Sequence, residues 1–228
     1  MKQIQTQIII LKRMNFSEAD RIITAITPDM GKISLLAKGA RKQKSKLAGG
    51  LELLSVSEVS YIDGRSDLKT VTSTRLKTHY RHITKNIETS MMAYEMIKLI
   101  DKATQETCDS IYFELLTNAM ACLNESAIDL DLQYCWFAIR LLEHSGHGIN
   151  AEVQVNGEPL SANSQFVFDY DNMGFTDHHS GQYGPKHVKF IRLLAGMDKP
   201  NALQRIIDGD AVAGDVKQLL AQSVKIIF

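Results

Sequence analysis

The chain has 228 residues, 44% of them hydrophobic, and its 26 Lys and Arg residues balance 26 Asp and Glu residues. This length and composition predict a globular protein of one large or two small domains. Apolar runs such as Ile8–Leu11 are far shorter than the ~20 residues of a membrane span, and the first residues lack the apolar segment of a signal peptide, so we expect neither a membrane protein nor a secreted one.

The first eighty residues show the two-residue period of β-strands. Ile4, Thr6, Ile8 and Ile10 alternate with polar residues, and Pro28–Gly31 has the composition of a tight turn between two strands. The predicted strands cover residues 3–12, 21–27, 32–39, 51–62 and 68–80. We therefore predict a five-stranded OB-type β-barrel over residues 1–80, a frequent platform for nucleic acids.

A helical period replaces this alternation after Arg81. The first predicted helix has one apolar face at helical spacing, formed by Ile83, Ile87, Met91, Tyr94, Ile97 and Ile100. Two more helices follow the first, and the last contains Trp136 as a core residue. The three are long enough to form an antiparallel bundle.

Residues 149–184 interrupt this helical pattern with an Asn-Gly turn and a short predicted strand. Helical spacing returns at Pro185, which suits a first helical position, and continues over residues 200–208 and 213–227. The predicted fold class is therefore α+β, with a helical domain over residues 81–228 that contains an irregular insert at 149–184.

Positive charge is concentrated in the N-terminal part of the chain. From Met1 to Arg81, 15 Lys and Arg face 7 Asp and Glu, whereas the remainder has 11 against 19. The densest run follows the third predicted strand and contains no acid: Lys38, Arg41, Lys42, Lys44 and Lys46. Arg13 and Arg21, near the ends of the first two strands, extend this predicted patch.

Lysine and arginine side chains neutralise phosphates and release counterions, which gives affinity without base selectivity. We therefore predict a surface that follows a nucleic-acid backbone. Reading of bases is not expected, because aromatic residues are sparse in this half of the chain, with only Phe16, Tyr61 and Tyr80. The alternative is a charge run that is simply solvated.

Catalytic and metal-binding patterns are weak. The chain has no GxSxG, Walker A, HExxH or GxGxxG motif, so we expect no enzyme. Structural zinc sites usually contain cysteine, and none of the three cysteines lies within residues 149–184. We predict neither metal nor cofactor, and we expect buried thiols in a reducing, cytoplasmic compartment. The possible ligands set aside are His144, His147, His178, His179, Asp169, Asp171 and Asp177.

The segment Ser17–Leu54 carries a more specific series of motifs. Its members are Glu18-x-Asp20-Arg21, Gly31-Lys32, Lys38-Gly39-Ala40-Arg41, Leu47 and Gly49-Gly50-Leu51. In this series the chain resembles the RecO family of bacterial recombination mediators, and its order of barrel, helices, insert and closing helices is similar to theirs.

The resemblance implies an OB-fold followed by a helical domain. It implies binding of single- and double-stranded DNA, annealing of complementary strands, and contacts with SSB and RecR that help to load RecA onto SSB-coated DNA. A protein with this role would be cytoplasmic and nucleoid-associated. The residues that the resemblance assigns to DNA are Lys38, Arg41, Lys42, Lys44 and Lys46, with Arg21 as a weaker candidate.

One departure from the RecO pattern concerns zinc. Many members of that family carry two cysteine pairs after the third helix, which form a zinc finger. The corresponding segment of this chain, residues 149–184, has no cysteine, so we expect a degenerate, metal-free insert with a hairpin.

Two other functions fit the same residues. An RNA-binding OB-fold protein would prefer RNA through contacts to the 2′-hydroxyl. A helical scaffold that binds another protein would leave the basic loop merely solvated. Competition between matched DNA and RNA oligonucleotides distinguishes an RNA-binding protein from a DNA-binding one. Absence of binding to polyanions would favour the helical scaffold.

Overall fold

The chain divides into two compact units, Met1–Asn124 and Glu125–Phe228. A computed structural model describes residues 2–64, 66–104, 109–125, 128–206 and 210–228. Cys108 lies outside these described residues, whereas Cys122 and Cys135 are buried, as predicted.

Five strands of the first unit form a barrel: β1 (Lys2–Phe16), β2 (Asp20–Thr27), β3 (Gly31–Ala37), β4 (Ser55–Asp63) and β5 (Leu68–His79). β1 pairs antiparallel with both β2 and β4. β3 pairs antiparallel with β2 and parallel with β5, and β4 pairs antiparallel with β5. The order β1-β2-β3-β5-β4 therefore closes on itself. The five predicted strands are confirmed.

The barrel core follows from alternation along these strands. Ile8 and Ile10 of β1 lie in the core, Thr6 is buried and Ile4 packs against the same cluster, so the predicted inward face is confirmed. Gly31 has a φ of 63°, which suits the predicted turn before β3. The core is completed mainly by Ile23, Ala25, Ile33, Leu35, Val59, Tyr61 and Val71.

The fourth strand begins later than its sequence predicts. Leu51 and Leu54 are buried, but they precede β4, and Leu54 has a φ of 57° that no strand accommodates. Their apolar side chains resemble a strand pattern because they fill the barrel core from a loop.

Two helices follow the barrel within the first unit, α1 (Ile87–Ala103) and α2 (Ile111–Asn124). Asn86 begins α1 by accepting hydrogen bonds from the backbone N–H groups of Glu88 and Thr89, at 2.8 and 3.2 Å. The barrel strands end at His79, and the compact unit continues to Asn124. A domain boundary at residue 80 thus stays a prediction.

The face of α1 predicted from helical spacing is confirmed for Ile97 and Ile100 and wrong for its N-terminal half. Ile87, Met91 and Tyr94 are 76%, 67% and 44% exposed. The residues of α1 that are buried are Met92, Ala93, Met96, Ile97, Leu99 and Ile100. Because apolar residues occupy two adjacent stripes, periodicity alone does not select the stripe that packs.

The second unit is built on α3 (Leu130–His144), which packs against α4 (Pro185–Ala195) and α5 (Asp210–Ile227). Trp136 is buried, as predicted, and its Nε1 donates a hydrogen bond to the Met197 carbonyl at 2.8 Å. α1 and α2 belong to the first unit and α3 to the second, so a single bundle of the three helices stays a prediction. An apolar helix face does not specify its partner.

The insert is a small sheet with the order β6-β8-β7, formed by β6 (Asn150–Gln154), β7 (Phe166–Asp169) and β8 (Gly174–Asp177). β7 and β8 form the predicted hairpin. Phe175 contacts the rings of Phe166, Phe168 and Tyr183 edge to face, with centroids 5.1–6.3 Å apart. These aromatic contacts give the insert an apolar core.

The C-terminal predictions are largely confirmed. Pro185 is the first residue of α4, and α5 covers the last predicted helix. The segment 200–208 is a 3-10 helix over Pro200–Arg205, and residues 207 and 208 lie outside the described chain. Within the described residues, no helix is long and apolar enough to cross a membrane.

Candidate nucleic-acid interface

Residues 38–54, here called the basic loop, connect β3 to β4 as a series of turns. The Lys42 N–H donates to the Gly39 carbonyl at 3.1 Å, and the Ser45 N–H donates to the Lys42 carbonyl at 2.9 Å. A short 3-10 turn, Ala48–Gly50, follows. The loop therefore has a defined backbone on which its side chains are spaced.

Apolar residues anchor the basic loop to the barrel. Ala40 and Leu51 are buried in the barrel core, and Leu47 packs against it. Thr74 Oγ1 of β5 donates to the Leu47 carbonyl at 3.0 Å. At Gly50, an added Cβ would lie 2.5 Å from the Thr74 side chain, so glycine permits this close approach.

The turn between β1 and β2 holds the other end of the basic loop. The Gly39 N–H donates to Asp20 Oδ1 at 2.7 Å, and the Arg41 N–H donates to the Ala19 carbonyl at 2.9 Å. Arg41 Nη1 also donates to the Glu18 carbonyl at 3.1 Å. Hydrogen bonds thus join two of the sequence motifs, Glu18-x-Asp20-Arg21 and Lys38-Gly39-Ala40-Arg41.

The five cations of the loop, Lys38, Arg41, Lys42, Lys44 and Lys46, are all exposed. We call them the loop cations. Among the described residues, no carboxylate oxygen lies within 4 Å of their charged nitrogens. Their positive charge is therefore not paired with a carboxylate of the described chain and is available to an anion.

Three other lysines of the first unit are paired with carboxylates. Lys32 lies 2.6 Å from a carboxylate oxygen of Asp101, Lys69 forms an ion pair with Asp63, and Lys77 forms one with Glu58 at 3.3 Å. Several acids are thus engaged away from the basic loop. Ion pairing therefore distinguishes these three lysines from the loop cations.

Arg13 and Arg21 lie at the same end of the barrel and are half-buried. Arg21 pairs in register with Ala37, which is buried, so it continues an inward-facing row. Arg13 Nη1 donates to the Leu51 carbonyl at 3.0 Å and lies 3.3 Å from Glu52 Oε2. Arg13 therefore holds the end of the basic loop, and its charge is partly balanced.

Of the three aromatic residues in the barrel half, Tyr61 and Tyr80 are buried and Phe16 is exposed. Burial raises the pKa of both tyrosines. Phe16 was not among the predicted site residues. Alternation continued from Ile8 and Ile10 would place Phe16 inward. The register shift between Ile10 and Lys12 turns Phe16 outward, and no sequence signal indicated it.

The insert does not fit the zinc that a RecO resemblance implies. His178 Nδ1 lies 2.9 Å from Ser180 Oγ, and Asp177 accepts from Ser164 Oγ. Asp169 accepts hydrogen bonds from Asn172, which lower the pKa of its carboxyl. Among the described residues, no three His, Cys, Asp or Glu side chains converge as metal ligands.

Comparison with known proteins finds similarity to RecO proteins. The family model described as "Recombination protein O N terminal" matches residues 1–80, which include the barrel and the whole basic loop. A protein of Heliobacterium modesticaldum named "DNA repair protein RecO" is 27% identical over 237 residues, covering 99% of this chain and 85% of that relative. Residues 1–80 therefore match the RecO N-terminal family, and similarity to a RecO protein extends along the chain.

Other RecO relatives are more similar over a shorter region. "DNA repair protein RecO" of Dehalococcoides mccartyi is 37% identical over 145 residues, and that of Acetivibrio thermocellus is 34% identical over 148. These alignments cover 63% and 64% of this chain but only 56% and 59% of the relatives. Thus this chain spans little more than half the length of these RecO proteins.

Proposed function

We propose that this chain is a RecO-family DNA repair and recombination mediator that binds single- and double-stranded DNA and anneals complementary strands. The observation that supports this most directly is the set of loop cations, exposed and without carboxylate partners among the described residues. They project from a loop that hydrogen bonds and buried apolar residues hold against a closed five-stranded sheet.

Annealing requires two phosphate backbones to approach each other. Their mutual repulsion falls when cationic side chains neutralise phosphates and displace condensed counterions. Lysine and arginine on a surface loop contact the backbone and leave the base edges free to pair. This role needs no covalent step, metal or nucleotide.

The proposed setting is single-stranded DNA coated with SSB. There the chain would contact SSB and RecR and help RecA to load. The loop supplies the DNA contact in this proposal, with Arg21 as an additional cation beside it and Arg13 as a residue that positions the loop.

The test is charge reversal in the basic loop. The Lys42→Glu/Lys44→Glu variant should bind single-stranded DNA more weakly at every sequence. The plot of log K against log salt should become less steep. Its negative slope should decrease in magnitude by about 1.4, because two phosphate contacts are lost and ~0.7 counterion is released per contact. Lys85→Glu/Lys98→Glu is the matched control, since it makes the same charge change at exposed residues of the same unit. An unchanged slope in the loop variant contradicts the assignment.

Two further measurements decide the role. Annealing of complementary oligonucleotides, with and without bound SSB and added RecR, should be accelerated by the wild-type protein and not by the loop variant. Competition between DNA and RNA of the same sequence tests the RNA alternative, which a clear preference for RNA would support.

A further inference from the structure

Phe16 is an exposed aromatic residue beside the basic loop that the proposed function does not use. It is 45% exposed at the end of β1, and Met14, on the same face, is 51% exposed. We propose that Phe16 is a stacking platform for an unpaired base of a single strand whose phosphates the loop cations hold. This inference rests on the proposed function and adds a base contact to it.

Hydrogen bonds fix Phe16 close to the loop cations. Phe16 pairs in register with Asp20, so the two side chains lie on the same face of the sheet. Asp20 in turn accepts the hydrogen bond from Gly39, the residue that follows Lys38. The aromatic ring and the cations are therefore carried by two segments in direct contact.

Phe16 also lies at the edge of a wider apolar surface. Met14 pairs in register with Ile22, and Ile22 pairs with Leu36. Ile22 and Leu36 are partly exposed, and all three side chains point to the outer face of the barrel. The apolar row crosses β1, β2 and β3, and β3 leads directly into the basic loop.

Charge complementarity argues for a nucleic acid as the occupant of this surface. Exposed apolar side chains next to the five loop cations suit a ligand that has an anionic backbone and apolar faces. An unpaired base offers such a face, whereas a base within a duplex is already stacked on both sides. Phe16 should thus favour single strands over duplexes.

The decisive experiment compares a thymidine oligonucleotide with an abasic one of the same length and charge. Phe16→Ala should bind the thymidine oligonucleotide about fivefold or more weakly, since one stacked base contributes ~1–3 kcal/mol. Its affinity for the abasic oligonucleotide and for duplex DNA should not change, nor should its salt slope. Tyr94→Ala is the control, because Tyr94 is a 44% exposed aromatic residue on α1 of the same unit.

Equal loss of affinity for both oligonucleotides, or no loss for either, overturns the stacking proposal. In both cases the proposed function survives if Lys42→Glu/Lys44→Glu still weakens binding. Absence of any DNA binding by the wild-type protein would instead refute the proposed function. The two failures are therefore distinguishable.

A second variant gives a spectroscopic readout. Trp136 is the only tryptophan and is buried, so Phe16→Trp adds one exposed fluorophore that keeps a stacking surface. Thymidine oligonucleotides should quench the emission added by this tryptophan, and the abasic oligonucleotide should not. Equal quenching by both would also overturn the proposal.

Discussion

The carboxylate of Asp20 accepts a hydrogen bond from the backbone N–H of Gly39, 2.7 Å from nitrogen to oxygen. This contact joins the turn between β1 and β2 to the start of the basic loop. Gly39 has a φ of 65°, a conformation that glycine adopts without strain. Asp20 and Gly39 together determine where Lys38 and Arg41 leave the barrel.

Asp20→Ala should therefore loosen the basic loop. Loss of a hydrogen bond to a charged acceptor should lower the free energy of unfolding by about 1–2 kcal/mol and weaken DNA binding. Urea denaturation and oligonucleotide titration measure the two effects. Glu18→Ala is the control, since the carbonyl of Glu18 accepts the Arg41 bond and survives the substitution. Equal effects of the two variants would contradict this role of Asp20.

Gly50→Ala and Gly49→Ala should differ sharply although the residues are adjacent. A Cβ at Gly50 would lie 2.5 Å from the Thr74 side chain, whereas a Cβ at Gly49 meets nothing within 4 Å. We expect Gly50→Ala to destabilise the fold by about 1–3 kcal/mol through overpacking. Thermal unfolding of both variants tests this, and similar melting temperatures would show that the loop does not press against β5.

Ion pairing should decide which cations contribute to DNA affinity. Lys42→Gln/Lys44→Gln removes charge that no carboxylate of the described chain pairs with, whereas Lys69→Gln/Lys77→Gln removes charge that Asp63 and Glu58 already balance. Both variants lose two charges. We expect the salt slope for single-stranded DNA to fall by about 1.4 only for the loop variant. Equal salt slopes for the two variants would mean that a cation's location and ion pairing do not decide its contribution to DNA affinity.

The packing of α1 can be tested with two methionines on one helix. Met96 is buried and Met91 is 67% exposed. Met96→Ala should therefore lower the free energy of unfolding by about 2–5 kcal/mol, and Met91→Ala should change it by less than about 0.5 kcal/mol. Urea denaturation measures both, and the reverse order would show that Met91 packs as its spacing predicts.

Tyr183 should make stability depend on alkaline pH. Burial raises the pKa of its hydroxyl to about 12, whereas an unfolded tyrosine ionises near pH ~10. The raised pKa contributes stability that is complete below pH ~10 and is lost as pH rises through the folded value. Unfolding measured across this window should show a shallower decline for Tyr183→Phe than for the wild type. Tyr94→Phe, at an exposed position, should follow the wild type.

The barrel strands could be predicted well because only one of the two faces of an alternating strand is apolar. In β1, moving the register by one residue would expose Ile8 and Ile10 and bury Gln5 and Gln7, so the pattern defines the inward face. The helix α1 has no such constraint, since its apolar residues form two neighbouring stripes. Leu51 and Leu54 were assigned to β4 for a related reason, because burial in a loop leaves the same pattern as burial in a strand.

The sequence by itself determined the five strands, the run of cations after the third, and the motifs that relate the chain to RecO. Only the tertiary structure decided which cations remain without a carboxylate partner among the described residues, that Arg13 holds the loop, and that Phe16 lies exposed beside it. Alternation and local charge depend on neighbours along the chain, which the sequence shows directly. Ion pairing and exposure depend on residues distant in sequence, such as Asp63 for Lys69 or Asp20 for Gly39, and these meet only when the barrel closes.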